Sequence, residues 1–439
     1  MTRAEDRQAV DYNPASPSVK QDPAAWFAAL RETDPVHHFR VPPEELALAS
    51  ANPFTGEMVD EYWSVLRHRD VTYMLQNPHI FSSAQGPAPQ RMAPFVEGGV
   101  LIIADDPAHI RQRRLVAKAF TPRSVEVLAP TIQRIVDEII DEHAGLGSME
   151  VLSALGLPMA IRTIAGILGL PEERNEDFQR WGNAVVVTLS GDPESVQIGA
   201  VEIPALFAYV QSLIDATRAG ELDSVGVSPQ GVLAGLVLAE DDGNRLTDEE
   251  IRWICLQLIT AGYETTSTAT ANGVYLLLSH PEQRALFERT DESGVKLATE
   301  EILRFMAPLE GLFRTANHDV EISGCPIPHN AKVRAVYASA NRDPEVFTDP
   351  ESFRIDRDPS ELRAHLAFGI GAHNCMGAAL ARTELRIVLE TLFRRLPGLE
   401  LDPPKPAVRQ TSLLINGYGE VHVRWDPARV RPSSRISSG

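Results

Sequence analysis

Residues 368–377 read Phe368-Gly369-Ile370-Gly371-Ala372-His373-Asn374-Cys375-Met376-Gly377. Glycines allow a compact turn, and the turn delivers a single cysteine to the start of an amphipathic segment. In that segment Leu380, Leu385, Val388, Leu389, Leu392 and Leu396 recur with the period of a helix that buries one face. A cysteine at a helix start meets free N–H groups and the positive end of the helix dipole, and both favour the thiolate. The thin loop also lets a flat cofactor lie close to the sulfur. A lone cysteine in such a place is more often structural, so the ten-residue pattern has to be explained, not the sulfur alone.

Upstream, the longest helical pattern starts at Thr247, where Thr247 and Glu250 have the spacing of a capping box. It continues to about Ser279, where His280-Pro281 ends it. Such a helix is roughly 50 Å long at 1.5 Å per residue, enough to cross a whole domain. Midway it carries Ala261-Gly262-Tyr263-Glu264-Thr265-Thr266-Ser267-Thr268, in which Thr265 to Thr268 are poor helix formers and Gly262 has no side chain. There we expect a hydroxyl or a water to enter the backbone ladder and open it locally. The plainer reading of the same run is a Thr-rich helix packed in a core.

Further helices are read at 122–143 and 157–170, the second stopped by the Gly and Pro that follow. Strand character is confined to short pieces at 61–68, 320–328, 331–339 and 419–425. Residues 341–365, rich in Pro and Asp, read as an irregular meander. The fold class is mainly α with small β-sheets. No repeat or long linker divides the chain, so residues 1–430 are expected to form one domain, with 431–439 as a polar, disordered tail.

The 439 residues carry 60 acidic and 41 basic side chains, a net charge of −19. That balance excludes the basic surface that a nucleic-acid partner would require. The three cysteines, Cys255, Cys325 and Cys375, form neither a disulfide framework nor a zinc spacing, which suits a reducing compartment. The polar N-terminal stretch lacks a signal core, and no apolar run approaches the ~20 residues that span a bilayer. A cytoplasmic protein with no membrane contact is expected.

The pattern Phe-Gly-x-Gly-x-His-x-Cys-x-Gly resembles the signature of the cytochrome P450 family, and segments from about Pro107 to Pro404 follow that family's order. The resemblance implies a triangular prism-like single domain with haem b between the long central helix and the cysteine-loop helix. Cys375 would be the iron ligand, with Phe368 and Gly369 in the cofactor-binding loop. A thiolate on haem iron favours O–O cleavage. The run at Ala261 is similar to the oxygen-activation motif, which implies that Thr265 steadies bound dioxygen and that Glu264 relays protons through water.

Glu301-Ile302-Leu303-Arg304 resembles the family's Glu-x-x-Arg, and with Arg357 it implies a buried structural network. Taken alone, such a pair is common on solvated helices. His109 and Arg113 lie four apart on one helical face, and with Arg314 and His373 they match positions that hold the haem propionates. The family's usual proline pair before His109 is broken by Asp106.

What the resemblance implies is a monooxygenase that uses O2 on an apolar small molecule: a terpenoid, steroid, fatty acyl or alkyl-aromatic compound. Electrons would come from a separate ferredoxin and a flavin-dependent NAD(P)H reductase. The ferredoxin would dock on a cationic face that includes Arg111, Arg114, Lys118, Arg363 and Arg382, which read equally well as scattered solvated charge. Gln257, Thr260, Ala261 and Leu312 are expected to line the pocket. Gln257 would bond the substrate or, as readily, its own neighbours. The loop 82–100, with Met92 and Phe95, would be a second wall, and helices between Val185 and Tyr209 the lid. Glu310 would face the pocket or, more simply, solvent.

Two other readings stay open. A peroxygenase would use H2O2 in place of O2 and electrons, and intact Glu264 and Thr265 argue against it. A non-catalytic haem-binding sensor or scaffold would lack electron-dependent turnover.

Overall fold

Asp248–Ser279 forms one continuous helix of 32 residues, and the rest of the fold is arranged around it. Its start is the capping box read from the sequence: Thr247 Oγ1 accepts from Glu250 N at 3.1 Å, and Glu250 Oε2 accepts from Thr247 N at 2.8 Å. In this computed structural model residues 12–433 are described, apart from 15, 44–45, 47–54, 94–98, 118–119, 189–192, 227, 230, 241–242 and 244.

Three helices pack closely on the central one. Leu157–Leu168 lies against it where Gly262 has no side chain, and a Cβ there would come 2.5 Å from Ile164. Ala378–Arg395, the cysteine helix, meets it at Gly273, against which Leu385 and Leu389 pack. Glu292–Phe305 completes the group on the same side. Ile251, Ile254, Ile259, Val274 and Leu277 of the central helix are buried, and this shared face is the main hydrophobic core.

The strands are short, as expected. A five-stranded sheet runs Val36–Arg40, Glu61–Val65, Lys332–Ala335, Leu312–Ala316, Phe81–Ser82. Its one parallel pair joins Lys332–Ala335 to Glu61–Val65, with Lys332 opposite Tyr62, and the remaining pairs are antiparallel. The expected strand at 320–328 is a hairpin of Val320–Ile322 and Cys325–Ile327. Residues 341–365 carry no strand, only the short helix Pro359–Leu362.

One expectation needs correction. Residues Glu194–Ala219 form a helix long and apolar enough, by length and composition, to cross a membrane. The sequence reading overlooked it because Pro204 and scattered acids interrupt its apolar run. In the fold this helix packs on Asn175–Thr188, with Tyr209 edge-on to Phe178 at 5.7 Å. At the expected C-terminal boundary Arg431 N donates to Arg395 O at 2.8 Å and Arg395 Nε returns a bond to Arg431 O at 3.1 Å. Residues 434–439 of the expected tail lie outside the described residues.

Candidate active site

The cysteine loop is held by its own backbone. Cys375 N donates to Phe368 O at 2.9 Å, and Asn374 Nδ2 donates to Gly369 O at 3.1 Å. Gly371 is required, because its φ is +81° and a Cβ would stand 2.5 Å from the carbonyl oxygen of Leu75. The helix proper begins at Ala378, with Gly377 as N-cap, so Cys375 sits just ahead of it. Burial pushes the Cys375 thiol up, against the opposing effect of the Gly377 N–H and the charges of Arg113 and Arg382.

Cys375 is nevertheless accessible to a solvent-sized probe, as is Ala261 in the middle of the otherwise buried central helix. Thr266 Oγ1 meets Glu384 Oε2 at 3.4 Å, where the two helices touch. From that contact one helix runs back to Thr265 and Ala261, and the other to Cys375.

Close to the cysteine loop four residues gather. The rings of His109 and His373 stack with centroids 4.0 Å apart. Arg113 Nη2 donates to Asn374 O at 2.6 Å, and the buried Arg314 donates from Nη1 to Phe313 O at 2.8 Å. His109 has a weak partner in Asp106, at 3.4 Å, whereas no carboxylate among the described residues pairs with Arg113 or Arg314. Burial and the neighbouring Arg314, His109 and Arg113 push His373 down to about 3. The guanidiniums of Arg113 and Arg314, with the uncharged His373 and His109 beside them, make a site for anionic groups. An exposed cysteine ahead of a helix, with such a cluster beside it, fits haem and its two propionates.

In the central helix the expected opening does not occur. Thr265 Oγ1 donates to Ala261 O at 2.6 Å, Thr260 Oγ1 to Leu256 O at 2.8 Å, and Ser267 Oγ to Tyr263 O at 2.7 Å. The hydroxyls bond back along their own helix and leave the ladder whole. Their lone pairs remain as acceptors. Burial raises the carboxyl of Glu264 above its ordinary value.

Sequence reasoning missed Glu384. It lies between Leu380 and Val388 on the apolar stripe of the cysteine helix, is 2% exposed, and burial pushes it up to about 8. A carboxylate at a core position of an otherwise clean stripe was the available signal.

The expected Glu-Arg-Arg network is present and fully buried. Arg304 Nε and Nη2 donate to the two oxygens of Glu301 at 2.7 and 2.8 Å, and Arg357 Nε donates to Oε2 at 3.0 Å. Arg354 N adds a bond at 2.9 Å, and Arg304 Nη1 reaches Asn341 O at 2.9 Å, tying the meander to the Glu292–Phe305 helix.

Other residues stand differently from expectation. Gln257 Nε2 donates to Val100 O at 2.9 Å, so this amide nitrogen serves the protein and not a ligand. Glu310 faces neither pocket nor solvent: at 2% exposure it pairs with Lys20 at 3.0 Å and Arg334 at 2.7 Å. Leu312 opens the strand Leu312–Ala316, half-buried and two residues before Arg314. Of the docking arginines, Arg111 is paired with Glu250 and Arg382 with Glu300, while Arg363 is exposed. Met92 lies in the short strand Gln90–Met92, and Phe95 and Lys118 fall outside the described residues.

A sequence model of the family described as Cytochrome P450 matches residues 175–292 and 295–417, more than half of the chain. The chain belongs to the cytochrome P450 family. This P450 is 35% identical to the cytochrome P450 monooxygenase PikC of Streptomyces venezuelae over 414 residues, 93% of this chain and 92% of the relative. It is 36% identical to the 6-deoxyerythronolide B hydroxylase of Saccharopolyspora erythraea over 325 residues, 74% of this chain and 77% of that protein. Its fold is similar to that of CYP109E1 from Bacillus megaterium in complex with testosterone, with a TM-score of 0.78 and 30% identity over 92% of this chain and 99% of that one. The protein is thus a haem-thiolate monooxygenase, with haem as its cofactor.

Proposed function

We propose that residues 1–430 act as one cytoplasmic catalytic domain in which haem b is bound through Cys375. It inserts one atom of O2 into an apolar small molecule of the terpenoid, steroid, fatty acyl or alkyl-aromatic class. The second oxygen leaves as water, with two electrons and two protons consumed. A separate ferredoxin and a flavin-dependent NAD(P)H reductase supply the electrons. Bound haem supplies the activation of O2, which no side chain here could perform.

The carrying observation is the exposed Cys375 beside the cluster of His109, Arg113, Arg314 and His373, and in this reading Cys375 and the Ala261–Thr265 stretch face one another across the haem gap. His109, Arg113, Arg314 and His373 bind and orient the propionates. Thr265, its proton engaged by Ala261 O, offers lone pairs that hold a donor water in the gap. Glu264, whose carboxyl burial shifts toward neutral pH, takes protons from solvent and passes them inward. Thr260, Ala261 and Leu312 shape an apolar wall. The steroid held by one structural relative falls within the proposed substrate class. Retention of Glu264 and Thr265 favours the O2 route over peroxygenase chemistry.

Reduced protein is examined with and without carbon monoxide, for the wild type and Cys375→Ser. A strongly red-shifted Soret band that the substitution abolishes supports the ligand assignment. Product formation with ferredoxin, reductase and NAD(P)H, at a rate that H2O2 alone does not match, supports the electron route. A haem-loaded wild type without the band sinks the reading.

A further inference from the structure

Beneath the cysteine loop one carboxylate gathers three elements. Glu300 of the Glu292–Phe305 helix accepts Arg382 Nε at 2.6 Å on Oε1 and Arg382 Nη2 at 3.0 Å on Oε2. Its Oε2 also meets His365 Nε2 at 2.9 Å. On the far side of that ring, His365 Nδ1 accepts the N–H of Ala367 at 3.2 Å. A nitrogen that accepts carries no proton, which leaves a ring hydrogen on Nε2, pointed at Glu300.

Both arms end on Phe368, the first residue of the loop. The Arg382 guanidinium lies 4.4 Å from the centre of the Phe368 ring, and His365 fixes the backbone of the residue before it. Phe368 in turn accepts the Cys375 N–H. The arrangement is well buried at His365, 3% exposed, and partly covered at Glu300, 24% exposed, so solvent screens it incompletely. Glu300 is also adjacent in sequence to Glu301, which places the brace on the same helix turn as the buried arginine network.

We propose that Glu300, His365 and Arg382 are positioning residues that set the reduction potential of the haem iron, Arg382 through its charge near the Cys375 sulfur and Glu300 by offsetting that charge. This rests on Cys375 being the iron ligand. A positive charge near a thiolate weakens its donation to iron and favours the ferrous state. A nearby carboxylate does the reverse. Glu300 and Arg382 should therefore act in opposite directions although they touch one another, which a merely structural role would not produce.

The test is reductive titration of haem-loaded wild type, Arg382→Met, Glu300→Gln and the double variant, with the ferrous–carbon monoxide spectrum recorded for each. Arg382→Met is expected to lower the ferrous-to-ferric ratio at a fixed potential by ~10-fold, equivalent to about 59 mV for one electron. Glu300→Gln should raise it by a similar factor, and the double variant should fall between the two. Arg382→Lys keeps the charge and is expected to stay near wild type, which guards against misfolding of the Met variant. Shifts of the same sign, unchanged potentials, or loss of the thiolate Soret band in step with the shift overturn the proposal. A wild type without that band refutes the ligand assignment instead, so the two failures are distinguishable.

Discussion

Gln257 Nε2 and the carbonyl oxygen of Val100 lie 2.9 Å apart, and this bond fastens the segment before the 108–117 helix to the central helix. The neighbouring groups are fastened too. Gln112 Nε2 donates to Gly99 O at 3.0 Å, and Gln112 Oε1 accepts Leu101 N at 2.9 Å. Leu101 needs such support, since it adopts a left-handed φ of +43° that costs a non-glycine residue energy. Two glutamines on two helices thus hold three consecutive residues between His109 and the pocket wall.

Gln257→Met is therefore expected to cost about 1–3 kcal/mol of stability, the ordinary cost of leaving a buried acceptor unmet. It should also lower the product formed per NAD(P)H, because the wall behind Ala261 loosens. Urea unfolding and a product-to-cofactor ratio test this. A change in substrate affinity with stability untouched would show that the amide faces the ligand after all.

Thr265→Val separates chemistry from folding. The lost hydroxyl bonds only to Ala261 O, a back-bond of small worth to the helix, so the thermal midpoint should hardly move. Product per electron pair should fall by ~10-fold or more, with H2O2 appearing instead, as expected when a proton-positioning group is removed. Equal yields in the two proteins would remove Thr265 from the proposed proton route.

What could be read in the sequence was what is local. The capping box at Thr247, the helix end at His280-Pro281 and the cysteine loop depend on residues within a few positions, and each is found where the pattern put it. The back-bonding of Thr265 is also local, yet it was misjudged, because the sequence does not reveal whether a hydroxyl bonds outward or to its own helix. Long-range partners were out of reach. Glu310 meets Lys20 across 290 positions and His365 meets Glu300 across 65, and nothing in one sequence marks those pairs. The Glu301 network was found only because a family resemblance supplied its distant arginine.

That network should dominate stability. Arg304 and Glu301 are completely buried, and Arg304→Met would leave the carboxylate with Arg357 and the Arg354 N–H. Removing one partner of a buried ion pair costs about 3–5 kcal/mol. The variant is expected to unfold at clearly lower urea and to retain less haem. A midpoint within experimental error of wild type would show that Arg357 and the Arg354 N–H suffice.

Glu384 gives the clearest dependence on pH. Its ordinary value is 4.5, and burial lifts it to about 8 in the folded chain. Below 4.5 the carboxyl is protonated whether folded or not, so it adds no bias. Between these values the unfolded chain releases the proton and the folded chain keeps it, so stability falls as pH rises, and the loss is complete above about 8. At about 1.4 kcal/mol per unit the total amounts to a few kcal/mol. Glu384→Gln keeps the shape and removes the titration. Thermal midpoints of the two proteins should agree near pH 5 and diverge toward pH 8, with the Gln variant the more stable. Parallel curves across that range would mean that the native core accepts the charge, through water or through the hydroxyl of Thr266 3.4 Å away.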